Sequence, residues 1–131
     1  DVFAEAVKES RSPLCYNGDI RTLEDYRRMR EAFPSVERLM IGRGLLANPL
    51  LAEQIGGSAA CPEDILRLKG FHDKLYAAYR ANLQGDINVL FKMKEFWVHF
   101  GTQFLEKESS LKQIRKAGRL SAYEAAVRQI F

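Results

Sequence analysis

Short apolar runs and amphipathic segments alternate along the first sixty residues. Residues 2–7 have the pattern of an amphipathic helix, and the apolar runs at 13–16 and 39–41 predict two buried strands. Between the strands, the sequence Thr-Leu-Glu-Asp at 22–25 predicts a helix N-cap followed by an acidic first turn. The Asn-Pro pair at 48–49 predicts the start of another short helix. The order helix, strand, helix, strand, helix is typical of βα units with parallel strands.

From residue 62 onward the pattern is helical throughout. One long amphipathic helix is predicted to begin at Pro62 and end near Gly85, and the next to begin at a cap formed by Asp86. A short basic helix over 111–117 and a final helix with a Ser-x-x-Glu capping box at 121–124 complete a bundle of about four helices. Helical spacing places an aromatic series in the bundle core: Phe91, Phe96, Trp97, Phe100 and Phe104.

Two parallel strands do not make a sheet, because each needs neighbours at its edges and helices over its faces. We therefore expect an α/β fragment, the end of a TIM (β/α)8 barrel, at 1–61, followed by an all-α helical bundle at 62–131. A complete barrel takes about 250 residues, so the 131-residue chain is expected to be a fragment. The bare apolar edges favour self-association or partial disorder of the barrel portion.

Composition excludes several classes of protein. The chain is 47% hydrophobic and 28% charged, unlike disordered, collagen-like or disulfide-scaffold proteins. Its strictly apolar runs are too short to cross a membrane, and because it does not open on a basic-then-apolar segment we do not expect secretion. Cys15 and Cys61 have no second Cys or His at ligand spacing, so we expect reduced thiols, no metal site and a cytoplasmic protein. Cys15, inside a strand, is expected to be a small buried hydrophobe.

Charge is distributed unequally between the two halves. Residues 1–64 carry 8 basic and 11 acidic side chains, whereas residues 65–131 carry 12 basic and 6 acidic ones. The basic second half is consistent with an anionic partner, and equally with a solvated lysine-rich surface. The candidate cations lie off the aromatic face or in the densest basic cluster: Lys92, Lys94, Lys112, Arg115 and Lys116.

Two glycine turns each follow a predicted strand directly. The first is Asn17-Gly18-Asp19, and the second is Gly42-Arg43-Gly44. Backbone N–H groups in such turns, at the carboxyl ends of adjacent parallel strands, can hold a phosphate. In (β/α)8 barrels the loops after the last two strands often have this role.

The sequence of these turns resembles one enzyme family. Tyr-Asn-Gly-Asp-Ile at 16–20, followed by Met-Ile-Gly-Arg-Gly-Leu-Leu-Ala-Asn-Pro at 40–49, is similar to the last two βα units of the tRNA-dihydrouridine synthases. The second half agrees, with Phe-Lys-Met-Lys at 91–94, Trp97, and Lys-Gln-Ile-Arg-Lys at 112–116. The resemblance covers essentially the whole chain.

The resemblance implies an FMN-dependent oxidoreductase that reduces uridine to 5,6-dihydrouridine in tRNA, with NADPH as the reductant. It implies that Asn17, Gly18 and Asp19 line one side of the FMN phosphate, and Gly42 and Arg43 the other. The helical domain would hold tRNA. The family's catalytic cysteine belongs to an earlier barrel loop, so no catalytic residue is expected in this chain, which alone would be inactive.

Two other functions stay open at this point. Another FMN-dependent barrel oxidoreductase, acting on a small pyrimidine or an enoate, would share the phosphate turns without needing a basic helical domain. A non-catalytic RNA-binding helical module would need the basic domain without the flavin.

Overall fold

The computed structural model describes residues 2–131, which are mostly helical with one small parallel sheet. The chain divides into two compact units, the first ending at Ser58 and the second comprising Ala59–Phe131. Within the described residues, no helix is both long enough and apolar enough to cross a membrane.

The first unit contains six elements: α1 Val2–Glu9, β1 Cys15–Tyr16, α2 Leu23–Ala32, β2 Arg38–Leu39, α3 Arg43–Ala47 and α4 Leu51–Ile55. The two strands pair in parallel, with Cys15 opposite Arg38 and Tyr16 opposite Leu39. The alternation of helices and parallel strands predicted from the sequence is therefore confirmed. The helix over Arg43–Ala47 was not predicted, because Gly42 and Gly44 indicate only a turn.

The predicted start of α2 is confirmed in atomic detail. The Asp25 amide donates to Oγ1 of Thr22 at 3.1 Å, and the Thr22 amide donates back to the Asp25 carboxylate at 2.9 Å. This reciprocal capping box satisfies two N–H groups that the helix itself cannot. The hydrogen bond from the Thr22 hydroxyl, followed by backbone and Arg28 donors, lowers the pKa of Asp25 to about 2.

A small core holds the first unit together. Ile20, Met29 and Leu51 are buried there, with Tyr16 among the side chains packed against them. Because successive strand residues point to opposite faces, Cys15 then points away from this core. Cys15 is exposed, so the prediction that it is a buried hydrophobe is wrong.

The second unit contains four helices and one 3₁₀ segment: α5 Asp64–Asn82, α6 Asp86–Phe100, the 3₁₀ segment Gly101–Lys107, α7 Glu108–Lys116 and α8 Leu120–Arg128. The predicted four-helix content is confirmed. Gly85 precedes α6 with φ of 81°, a conformation that L side chains rarely adopt. The N-cap is therefore Gly85, and Asp86 is the first residue of the helix rather than its cap.

The aromatic core is confirmed at four of its five predicted positions. Phe96, Trp97, Phe100 and Phe104 are buried, and the first three share one face of α6 with Leu90 and Met93. Phe91 is 60% exposed, so its predicted burial is wrong. At 100° per residue, Phe91 lies on the opposite side of the helix from this buried face.

The predicted capping box at the start of α8 is wrong. The helix begins at Leu120 with Arg119 as its N-cap, two residues before the predicted Ser121 cap. Glu124 does not reach back to the helix start, because its carboxylate accepts a 2.7 Å hydrogen bond from the Tyr76 hydroxyl. A tertiary contact has replaced the local one.

Candidate functional site

One cavity in the first unit brings together all five residues predicted from the two glycine turns. This turn cavity, about 610 Å³ in volume, is lined by six residues: Asn17, Gly18, Asp19, Met40, Gly42 and Arg43. The parallel pairing of β1 and β2 explains the convergence, since both turns leave the same edge of the sheet.

An ion pair crosses the turn cavity between the two turns. Nη2 of Arg43 lies 2.6 Å from Oδ1 of Asp19, and Nη2 of Arg21 lies 3.8 Å from the other carboxylate oxygen. Both partners of the closer pair are more than half exposed, so the pair contributes at most about 1 kcal/mol to stability. Its structural consequence is orientation, because it holds the Arg43 guanidinium at the cavity.

The glycines of the second turn have different roles. A Cβ atom at Gly42 would meet no atom within 4 Å, so the space beside the backbone there is open. A Cβ at Gly44 would lie 2.0 Å from the carbonyl oxygen of Ile20, so this glycine is required for close packing. Gly42 precedes α3, in which the Leu45 and Leu46 amides donate to the Gly42 carbonyl oxygen, whereas the amides of Arg43 and Gly44 have no acceptor inside the helix. Open space, backbone donors and a guanidinium suit an anionic group such as a phosphate.

The five candidate cations of the second half are not equivalent. Lys92 pairs with Glu95 at 3.0 Å, and Lys112 pairs with Glu108 at 2.8 Å. These contacts raise the pKa of Lys92 and lower that of Glu108.

Among residues 2–131, the remaining three candidate cations form no ion pair of this kind. Lys94 and Arg115 line one cavity, and Lys116 is exposed in the last turn of α7. The structure therefore brings together Lys94 of α6 and Arg115 of α7.

A buried polar network in the second unit was not predicted. Nε1–H of Trp97 donates to the Tyr123 hydroxyl at 2.9 Å, and that hydroxyl lies 2.6 Å from Nε2 of His72. Nδ1 of His72 lies 2.9 Å from the Asp73 carboxylate. Because an ionised carboxylate can only accept, Nδ1 of a neutral His72 donates to Asp73, and Nε2 then accepts from the Tyr123 hydroxyl.

Burial disfavours the charged forms of His72 and Tyr123. It lowers the pKa of His72, against the opposing effect of the Asp73 carboxylate, and it raises the pKa of Tyr123. The sequence offers no direct signal for the network, because His72 and Tyr123 lie 51 positions apart and on different helices. The apolar spacing of α5 was the only available clue, since it places His72 one turn from the buried Leu68.

No metal centre is formed by the part of the chain that the structure describes. Residues 2–131 contain no group of three or more His, Cys, Asp or Glu side chains arranged to hold a metal ion. Cys61 is engaged by Asp64 instead, and the hydrogen bond to that carboxylate raises the pKa of the thiol.

Comparison with known proteins shows the family. Residues 4–124 match the family described as Dihydrouridine synthase, a range that includes the turn cavity and most of the second unit. The tRNA-dihydrouridine(16) synthase of Aquipseudomonas alcaligenes is 46% identical over 55 residues, which are 40% of this chain and 17% of that protein. The tRNA-dihydrouridine(16) synthase of Pseudomonas syringae pv. tomato is 50% identical over 46 residues, 35% of this chain and 14% of that protein. The matched segments thus span less than a fifth of either relative. The family match covers nearly the whole chain, and the chain belongs to the dihydrouridine synthase family.

Proposed function

We propose that this chain forms part of an enzyme that reduces uridine to 5,6-dihydrouridine in tRNA. The observation that carries the proposal is the family match over residues 4–124. The names of both relatives specify a tRNA substrate and its position 16, so position 16 is the first site to examine. The family match favours this reading over a non-catalytic RNA-binding module and over a barrel oxidoreductase of small molecules.

The turn cavity is proposed to hold the phosphate end of FMN. Asn17, Gly18 and Asp19 would lie on one side of the phosphate, and Gly42 and Arg43 on the other. The open space beside Gly42 and the oriented guanidinium of Arg43 support this assignment. Bound flavin, reduced by NADPH, would supply the hydride for the uracil ring. In this chain the proposed task is binding only, because the proposal places the catalytic cysteine in another part of the barrel.

The first unit is accordingly proposed to be the end of a (β/α)8 barrel. Its two parallel strands and the helices that follow them have the order of two consecutive βα units. The second unit is proposed to hold tRNA through its basic side chains, because residues 65–131 carry twice as many basic as acidic groups. The cations proposed to contact RNA are Lys92, Lys94, Lys112, Arg115 and Lys116.

Nucleoside analysis of cellular tRNA tests the proposed function. Deleting the gene that encodes these residues is expected to remove dihydrouridine from one tRNA position, and re-expression of the gene is expected to restore it. Mass spectrometry of purified tRNA measures the modified base directly. Unchanged dihydrouridine at every position in the deletion strain would contradict the proposal.

A further inference from the structure

A second cavity, in the helical unit, combines an apolar wall with positive charge. This helix cavity has a volume of about 320 Å³ and lies between the C-terminal half of α6, the 3₁₀ segment and α7. Ligand pockets in proteins begin at about 300 Å³, so a small organic group fits. Its principal lining residues are Lys94, Trp97, Val98, Leu105, Leu111 and Arg115.

The two cations of the helix cavity form no ion pair at contact distance, although Arg115 attracts the Glu108 carboxylate at longer range and helps to lower its pKa. Among residues 2–131, neither Lys94 nor Arg115 forms an ion pair with a carboxylate. Lys92 on α6 and Lys112 on α7 are each paired with a glutamate of their own segment. The two unpaired cations come from different helices and meet at the cavity, which favours an anionic group there.

The wall of the helix cavity exposes apolar surface that nothing in this unit covers. Val98 and Leu105 are 70% and 71% exposed, although both are large apolar side chains. Trp97 lines the same cavity and is held in place by its hydrogen bond to Tyr123. A ligand that covers this wall must therefore be apolar on one side and anionic on another.

We propose that the helix cavity binds one unpaired nucleotide of an RNA, with its base against the apolar wall and its phosphate between Lys94 and Arg115. The proposal rests on the proposed function, which supplies the RNA. Paired RNA does not meet the requirement, because its base faces are stacked inside the helix and only its phosphates and minor-groove edges are accessible. An unpaired nucleotide offers both a base face and a phosphate.

Matched charge variants test the phosphate contact. The probe is a fluorescently labelled single-stranded RNA, and affinity for the full chain is measured by anisotropy over a series of salt concentrations. Lys94→Gln and Arg115→Gln are each expected to weaken binding about tenfold and to flatten the slope of log affinity against log salt by about 0.7. Lys74→Gln and Arg128→Gln remove the same charge at exposed positions of the second unit that lie outside the helix cavity, and are expected to change binding much less. Equal losses in both pairs would overturn the proposal, because they would indicate general electrostatic attraction.

Matched apolar variants test the base contact. Leu105→Ala is expected to weaken binding about fivefold or more, since contact with one base contributes a large share of single-strand affinity. Ile87→Ala, at another exposed position of the second unit and outside the helix cavity, is the control and is expected to bind as wild type. An RNA with abasic residues is expected to bind wild type and Leu105→Ala equally. Wild-type affinity of Leu105→Ala for the base-containing RNA would overturn the proposal.

These outcomes are separate from those of the proposed function. Dihydrouridine lost in the deletion strain, together with cavity variants that bind as their controls do, would refute only the nucleotide site. Dihydrouridine retained in that strain, together with RNA binding that depends on the helix cavity, would refute only the proposed enzyme. A wild-type chain that binds no single-stranded RNA would also refute the nucleotide site.

Discussion

Removing the Tyr123 hydroxyl is expected to destabilise the second unit strongly. That hydroxyl is fully buried and joins the indole N–H of Trp97, at 2.9 Å, to the imidazole of His72, at 2.6 Å. In Tyr123→Phe both partners stay buried and lose their hydrogen bond. Each buried polar group left unsatisfied costs about 1–3 kcal/mol, so for two groups we expect a loss of about 2–6 kcal/mol in the free energy of unfolding. This is a large fraction of the about 5–15 kcal/mol that stabilises a typical domain.

Urea denaturation followed by tryptophan fluorescence measures this loss. Trp97 is the single tryptophan of the chain and lies in the network, so its emission reports on this unit. Tyr79→Phe, which removes a hydroxyl at a half-buried position outside the network, is the control and is expected to cost less than about 1 kcal/mol. A Tyr123→Phe protein within about 0.5 kcal/mol of wild type would refute the reasoning, because the network would then contribute nothing to stability.

Three further results are expected. Burial lowers the pKa of folded His72 below its unfolded value of about 6.5, so the free energy of unfolding should be highest above that pH and fall below it, where the unfolded state takes up a proton. Denaturation of wild type and His72→Gln between pH 8 and 5 measures the difference, and parallel profiles would contradict the lowered pKa of His72. Gly44→Ala should unfold the first unit, because the new Cβ would lie 2.0 Å from the Ile20 carbonyl oxygen; unchanged resistance of that unit to proteolysis would be the contrary result. Thr22→Ala should cost about 1 kcal/mol through loss of the α2 cap, measured by thermal unfolding, and an unchanged midpoint would mean that the cap is dispensable.

Local signals in the sequence predicted the elements better than their boundaries. The Thr22–Asp25 capping box needs only residues three positions apart, and the structure confirms it. The similar pattern at 121–124 failed because Tyr76, from another helix, competes for the Glu124 carboxylate. No local rule contains that competitor, since the two residues are 48 positions apart.

The burial of a single side chain could not be predicted without knowing which elements pack against it. Helical spacing identified Trp97 and Phe100 as core residues, but Phe91 lies on the opposite face of the same helix and is exposed. Cys15 is exposed because adjacent residues of a strand point to opposite faces, and its neighbour Tyr16 packs against the core.

The turn cavity could be predicted from the sequence, because the turns that follow two parallel strands lie at the same edge of the sheet. Its residues therefore converge as the motif spacing predicted. The helix cavity could not be predicted in this way. Lys94 and Arg115 meet only because α6, the 3₁₀ segment and α7 pack together, with a kink at Phe104 where φ is −128° and ψ is 38°.

Flavin content measures whether the turn cavity holds FMN, as we propose. Gly42→Val in the full-length protein adds a branched side chain where a Cβ meets no protein atom, so folding should survive while the space proposed for the phosphate is filled. Gly118→Val, at another open glycine outside the cavity, is the matched control. We expect the absorbance spectrum of purified Gly42→Val to show little FMN, while Gly118→Val keeps the wild-type amount. Stoichiometric FMN in a folded Gly42→Val protein would contradict the proposed FMN site.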